Sequence, residues 1–166
     1  MDQDFGTIQL PDVRDAVAPD GSDVRVLLRL GRGSMAHFEL AAGRVSRAVA
    51  HHDVDEIWYI LAGQGEMWRR KGERQETVPL RPGACVSIPA GTHFQFRCAG
   101  QGPLAAVGVT MPPWPGPGEA YDVPGPWPAD APAGHLAPDG GPARRLAFAA
   151  KRWWACNQGK GLNGDR

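Results

Sequence analysis

The sequence predicts an all-β protein, a small sandwich or barrel, from three observations. Residues 24–111 consist of short apolar runs, and within them apolar and polar residues alternate with the period of two that is typical of strands, as in SMAHFEL, where Ala36, Phe38 and Leu40 share one face. The runs recur about every 8–12 residues, as expected of a sandwich or barrel. Turn-forming residues separate them. The runs are VRVLLRL, SMAHFEL, VSRAVAH, DEIWYIL, EMWRR, ETVPL, ACVSIPA, FQFRC and LAAVGVT.

Three regions follow from the composition. Residues 1–23 are expected to form an N-terminal strand or arm, 24–111 the barrel, and 112–166 a Pro/Gly-rich arm with a basic tail. Ten of the sixteen prolines fall within residues 112–142, which excludes a central strand or a long helix there. Trp114 and Trp127 indicate that part of this arm lies on the barrel, because free linkers rarely carry large aromatic residues.

The last segment, from Ala143, could form a short helix through RRLAFAAKRWWA and is rich in Lys and Arg. A solvated tail is the default interpretation of such a terminus. A contact of this tail with nucleic acid or an acidic partner is the weaker alternative.

Charge and cysteine content restrict the partners. Lys plus Arg equals Asp plus Glu at 18 each, so no overall field attracts nucleic acid or a membrane, and a small-molecule ligand is expected. The three widely spaced cysteines match neither a disulfide framework nor a metal clip. The N-terminus is polar and acidic, unlike a targeting peptide, and no run is long enough to span a bilayer, so a cytoplasmic location is expected.

Two spaced motifs carry a family resemblance. In GRVSRAVAHHDVDEIWYILAGQGEMW, Gly43, Glu56 and Gly63 match a first box, and in RPGACVSIPAGTHFQFR, Gly83 and the Pro-x-Gly at 89–91 match a second, with 19 residues between Gly63 and Gly83. These residues resemble the two boxes of the cupin superfamily. The resemblance implies a double-stranded β-helix, or jelly-roll barrel, with a small-molecule site in its mouth.

The first box leaves one metal-ligand position apolar. With four residues before Glu56, the second His of the family's His-x-His is His51 and the first position holds Val49. With three residues, these positions become His52 and Ala50. We favour His51, because four residues is the commoner spacing in the family, and adjacent strand residues face opposite ways, so only one of the two imidazoles enters the barrel.

The second box has one residue fewer than the family pattern between Gly91 and its His. Aligned without a gap, Phe94 takes the ligand position, and only a shortened turn brings His93 inward. Arg97 then stands where the box ends in Asn.

The resemblance implies a metal set of His51, Glu56 and His93, since two imidazoles and a carboxylate leave open positions on Fe, Mn, Ni or Zn. The alternative is no metal at all. In that case His93 lies outside, and His51 and Glu56 form a hydrogen-bonded pair inside the barrel. In either case His51 and Glu56 are the candidate catalytic residues, as ligands or as an acid–base pair.

Three further residues are candidates for the substrate pocket. Trp58 shares a strand face with Glu56, Gln95 shares one with His93, and His37 lies mid-strand opposite Phe38. The leading hypothesis is a small-molecule enzyme of the oxygenase, isomerase, dehydratase or lyase type. The alternative is a metal-free ligand-binding or sensor module. A homodimer is expected in both, because paired subunits cover sheet edges.

Overall fold

In the computed structural model, which describes residues 4–130, the chain forms eleven strands and no helix within that range. The alternating runs therefore become strands as predicted. The strands are β1 (Ala16–Val17), β2 (Asp23–Leu30), β3 (Gly33–Leu40), β4 (Val49–His51), β5 (Asp55–Ala62), β6 (Gly65–Lys71), β7 (Arg74–Leu80), β8 (Cys85–Ile88), β9 (His93–Cys98), β10 (Leu104–Met111) and β11 (Ala120–Asp122).

The strands form two antiparallel sheets. The first has the order β1-β2-β3-β10-β5-β8, and the second has the order β11-β4-β9-β6-β7. Neighbours in each sheet are mostly distant in sequence, as in a jelly roll, where the chain passes back and forth between facing sheets. This confirms the predicted all-β jelly-roll barrel.

Strand β5 turns one of its two faces into the barrel. Glu56, Trp58 and Ile60 are 3%, 2% and 0% exposed, whereas the residues between them and after them are about half exposed, namely Ile57 (43%), Tyr59 (48%) and Leu61 (44%). Since successive strand residues point to opposite faces, the carboxyl of Glu56 and the indole of Trp58 both enter the barrel.

The interior is packed with aromatic rings around Trp58. Phe38 stacks on its indole at 5.1 Å, and Phe96 meets it edge-on at 5.0 Å. A Cβ at position 108 would lie 2.7 Å from the Phe38 ring and 3.1 Å from the indole, so Gly108 is required for this packing. Each such ring buries roughly 150–250 Å², which makes the cluster a main source of stability.

The sheets continue past Met111, where the sequence placed the end of the barrel. Strand β11 pairs with β4, with Ala120 opposite His51 and Asp122 opposite Val49. Further along, the amide of Asp130 donates to the carbonyl of Val45. The reason is local, because Ala120–Asp122 contains no proline and is free to form ladder hydrogen bonds.

The predicted helix after Ala143, the basic tail and Cys156 lie outside the described residues. Among residues 4–130 the structure contains no helix long and apolar enough to cross a membrane.

Candidate functional site

Glu56 is the most deeply buried carboxyl facing the barrel interior. Its Oε2 accepts a hydrogen bond of 2.8 Å from Nε1 of Trp58. Burial raises the pKa of Glu56 to about 8. The hydrogen bond from Trp58 lowers the pKa in part, and the nearby charge of Asp20 raises it by a smaller amount. At neutral pH this carboxyl therefore carries its proton and can act as a hydrogen-bond donor.

Two hydroxyl groups extend a polar row from Glu56 across the first sheet. In the strand register, Thr110 of β10 lies opposite Glu56 of β5 on one side and opposite Ser34 of β3 on the other. All three side chains are buried. The hydroxyls of Ser34 and Thr110 share a hydrogen bond of 2.5 Å. The amide of Trp114 donates to them at 3.0 and 3.2 Å, so the arm after β10 closes over this row.

His51 faces the interior from the second sheet and is 5% exposed. Its ring meets Phe94 edge-on at 5.3 Å and Trp114 at 5.1 Å. Its Nδ1 is buried without a hydrogen-bond partner among the described residues. Burial lowers the pKa of His51 to about 4, although Glu119 acts in the opposite direction, so the imidazole is neutral at physiological pH.

His51 and His52, as adjacent residues at the end of β4, differ in burial. His52 is exposed and lies against the ring of Tyr121, with centroids 4.4 Å apart. Val49 shares the inner face with His51 and pairs with Phe94 of β9. Val49, not Ala50, therefore occupies the first-His position of the box.

His93 does not reach this site, which corrects the predicted metal set. Phe94 faces inward, because its ring contacts both His51 and Trp58. His93, the residue before it, consequently lies on the opposite face of β9, in register with Arg70. The ungapped alignment of the second box is thus the one that the fold adopts.

Gln95 lies on the same outer face of β9 as His93 and not in the pocket, so its predicted pocket role is also corrected. Its Nε2 donates to the carbonyls of Ser46 and Trp127 at 2.8 Å each, and its Oε1 accepts from the amide of Trp127 at 3.1 Å. Gln95 is 1% exposed because the arm covers the outer face of the second sheet. The side chain anchors the arm.

His37 likewise lies on the outer face of its sheet. Phe38 points inward onto Trp58, so His37 points away from the barrel and is in register with Arg25 and Val107. Burial, followed by the charge of Arg25, lowers the pKa of His37. It is not a pocket residue, and its burial comes from the outer layer.

Glu119 holds the far end of the arm segment that covers His51. Its Oε1 accepts from the amides of Asp53 and Val54 at 2.8 Å each, in the turn between β4 and β5. Neither Trp114 nor Glu119 was assigned to the site from the sequence, because a Pro-rich segment has no periodicity from which to assign a facing direction. The aromatic residue in that segment was the one available signal.

The donors present do not fit a divalent metal. Among residues 4–130, no three His, Cys, Asp or Glu side chains converge as ligands. His51 is flanked by aromatic rings, and the Glu56 carboxyl accepts a hydrogen bond from an indole. The predicted hydrogen bond between His51 and Glu56 is also not formed, since Trp58 is the partner of that carboxyl. Metal ligands should instead converge on one point.

Comparison with known families agrees with this architecture. A family model described as a cupin domain matches residues 36–110, the part of the chain that spans β3 to β10. The match, the two boxes and the facing sheets identify residues 36–110 as a cupin domain.

One curated relative is similar to part of the chain. The acireductone dioxygenase of Frankia alni is 35% identical over 71 residues, covering 42% of this chain and 34% of that protein. The chain thus spans about a third of the length of the relative it matches.

Solved structures share the fold at low identity. KdgF from Halomonas sp. has a TM-score of 0.53 and 16% identity, covering 65% of this chain and 94% of that one. The capsular polysaccharide assembling protein CapF from Staphylococcus aureus gives 0.55 and 15%, covering 61% and 32%. Hazelnut vicilin gives 0.50 and 20%, covering 60% and 31%. These similarities support the fold alone.

Proposed function

We propose that this cupin is a metal-independent enzyme in which Glu56 and His51 act as an acid–base pair on a small polar carbonyl compound. The carrying observation is that a buried, protonation-competent carboxyl and an imidazole with an unpartnered buried nitrogen face the same interior from opposite sheets. Polar groups buried with so few partners are costly to fold and are typical of functional sites.

The chemistry follows from the two protonation states. A neutral His51 can take a proton from the carbon beside a carbonyl, and the electron pair of that C–H bond becomes the double bond of an enol. Glu56 gives its own proton to the carbonyl oxygen, so the enol is neutral, while His51 becomes an imidazolium and Glu56 a carboxylate. The reverse steps restore both residues. Pairs of groups whose environments push their pKa values apart are suited to such work.

Entry of a ligand requires movement of the arm segment 112–118. Two surface clefts of about 410 and 250 Å³ are lined by other residues, and neither includes His51 or Glu56. The ring of Trp114 covers His51, whereas the segment behind it contains Gly116 and Gly118 at positive φ. We therefore place the entrance under Trp114. Glu119, which accepts hydrogen bonds from the amides of Asp53 and Val54, holds the C-terminal end of the moving segment in place.

Proton exchange in D₂O provides the test. Hydroxyacetone, dihydroxyacetone and glyceraldehyde are followed by ¹H NMR, and exchange of the protons beside the carbonyl is the readout. Glu56→Gln and His51→Gln should each reduce the rate roughly 100-fold or more, because general acid–base catalysis contributes factors of this size. His52→Gln, the matched control, should match wild type, and treatment with EDTA should leave the rate unchanged.

The pH profile of the exchange rate should be bell-shaped. Below the His51 pKa of about 4 the base is protonated, and above the Glu56 pKa of about 8 the acid has lost its proton. A rate that EDTA abolishes would contradict the proposal.

A second candidate function, a ligand-binding module, is favoured by one observation. Val49 and Phe94 fill two of the box positions with apolar groups, and the rings leave little open space around them. Saturable binding of a panel compound without exchange, followed by Trp fluorescence, would favour the module over the enzyme.

A further inference from the structure

We infer that the cleft between the β6–β7 hairpin and the β8–β9 turn is a binding site for a multivalent oxyanion, a phosphoryl group or a polycarboxylate. The cleft has a volume of about 410 Å³, within the range of small-molecule sites. Its lining includes Arg69, Arg70, Lys71, Arg74, Glu76 and Thr92.

The charge of the lining is unbalanced. Of these residues four are cations, and Glu76 is the single carboxylate among them. That carboxylate is shared, since its Oε1 lies 2.9 Å from Arg69 and its Oε2 lies 3.6 Å from Arg74. Arg70 makes no ion pair with any residue in the described part of the chain. A concave surface of one sign concentrates small anions of the other.

Two buried polar atoms at this cleft also lack partners among residues 4–130. Thr92 is 4% exposed, and its hydroxyl has no hydrogen bond. Nε of Arg69 is buried and unbonded, although its Nη groups donate to the carbonyl of Ser87 and to Glu76. Buried donors are normally satisfied, and the hydroxyl and guanidinium N–H beside this cleft are not, which supports an acceptor next to them.

The type of acceptor follows from the donors. Arginine presents flat N–H forks that match the oxygens of phosphate and carboxylate, and charge-assisted hydrogen bonds are the strong ones. A monovalent anion would leave most of the positive charge uncompensated. Because no lining residue of the cleft belongs to the interior site, this inference stands independently of the proposed enzyme activity.

Calorimetric titration of the full chain with inorganic phosphate and with citrate, at fixed ionic strength, tests the inference. We expect saturable 1:1 binding of at least one anion and little heat with acetate. Binding of phosphate alone assigns a phosphoryl ligand, and binding of citrate alone assigns a polycarboxylate. Arg70→Gln and Thr92→Val should each weaken binding about tenfold. Arg81→Gln, an exposed arginine beyond the other end of β7, should change affinity less than about twofold.

Two results would overturn the inference. One is the absence of saturable binding for both anions, and the other is equal weakening by Arg81→Gln and Arg70→Gln, which would indicate diffuse charge attraction. Thermal melting is recorded for every variant. If Thr92→Val does not fold, the exposed Arg70→Gln decides the question.

Discussion

Two buried polar clusters of this barrel differ in how completely their hydrogen bonds are satisfied. On the outer face of the second sheet, Gln95 uses both ends of its amide, with Ser46 and Trp127 as partners. Inside the barrel, Glu56 has one hydrogen bond from Trp58, and Nδ1 of His51 has none within the described chain. A satisfied network stabilises a fold, whereas a buried group left short of partners lowers stability and is retained for another reason.

The largest expected effect that tests this comparison is the pH dependence of Glu56. Its pKa is raised from 4.5 to about 8, so the folded state keeps a proton that the unfolded state releases. The stability that this proton contributes is fully present below pH 4.5 and is lost as pH rises towards 8. Relative to Glu56→Gln, the free energy of unfolding of wild type should fall by between about 1 and 2 kcal/mol for each pH unit. The total over the interval from pH 4.5 to 8 is about 5 kcal/mol.

Urea unfolding of both proteins at several pH values between 4.5 and 8.5 measures this difference. Glu73→Gln, at an exposed position in the β6–β7 turn, is the matched control and should give a curve parallel to wild type. Parallel curves for wild type and Glu56→Gln would mean that Glu56 ionises freely in the folded protein, and the contrast with Gln95 would disappear.

The Gln95 cluster should show the opposite behaviour, a large effect that does not depend on pH. Gln95→Leu preserves size but leaves the carbonyl of Ser46 and both backbone groups of Trp127 without partners. At 1–3 kcal/mol for each unsatisfied buried group, we expect a loss of about 4 kcal/mol in the free energy of unfolding. Gln75→Leu, at an exposed position on β7, should change it by less than about 0.5 kcal/mol. A small effect of Gln95→Leu would show that the arm holds itself in place by other contacts.

Period-two patterning was sufficient to predict the strands and to place Glu56 and Trp58 on one face of β5, but it left open which face turns inward, because both faces carry large apolar residues. It also separated His51 from His52. The second box was different. Whether His93 or Phe94 enters the barrel depends on the length of one turn, which the motif alone left open and the fold resolves in favour of Phe94.

The contacts that the sequence did not predict are those of the arm. Parity predicts that Gln95 and His93 share a face, but not that a Pro-rich segment covers Gln95 from outside. In the same way, the aromatic side chain of Trp114 indicates contact with the barrel, but the local sequence does not show that it covers His51. These contacts join positions far apart in the sequence, and segment 112–119 has no periodic pattern to indicate which side is buried.

The smallest of the expected effects concerns His51 and uses His52 as its internal control. Burial holds the pKa of His51 near 4 instead of 6.5, so between these pH values the unfolded state binds a proton that the folded state does not bind. The stability contributed by the neutral imidazole is therefore present above pH 6.5 and is lost as pH falls towards 4. Relative to His51→Gln, the free energy of unfolding of wild type should fall by about 3 kcal/mol over that interval. His52→Gln should leave the curve parallel to wild type, because His52 is exposed beside Tyr121. If His52→Gln changed the slope and His51→Gln did not, the inward position of the first box would belong to His52 and the acid–base proposal would lose its base.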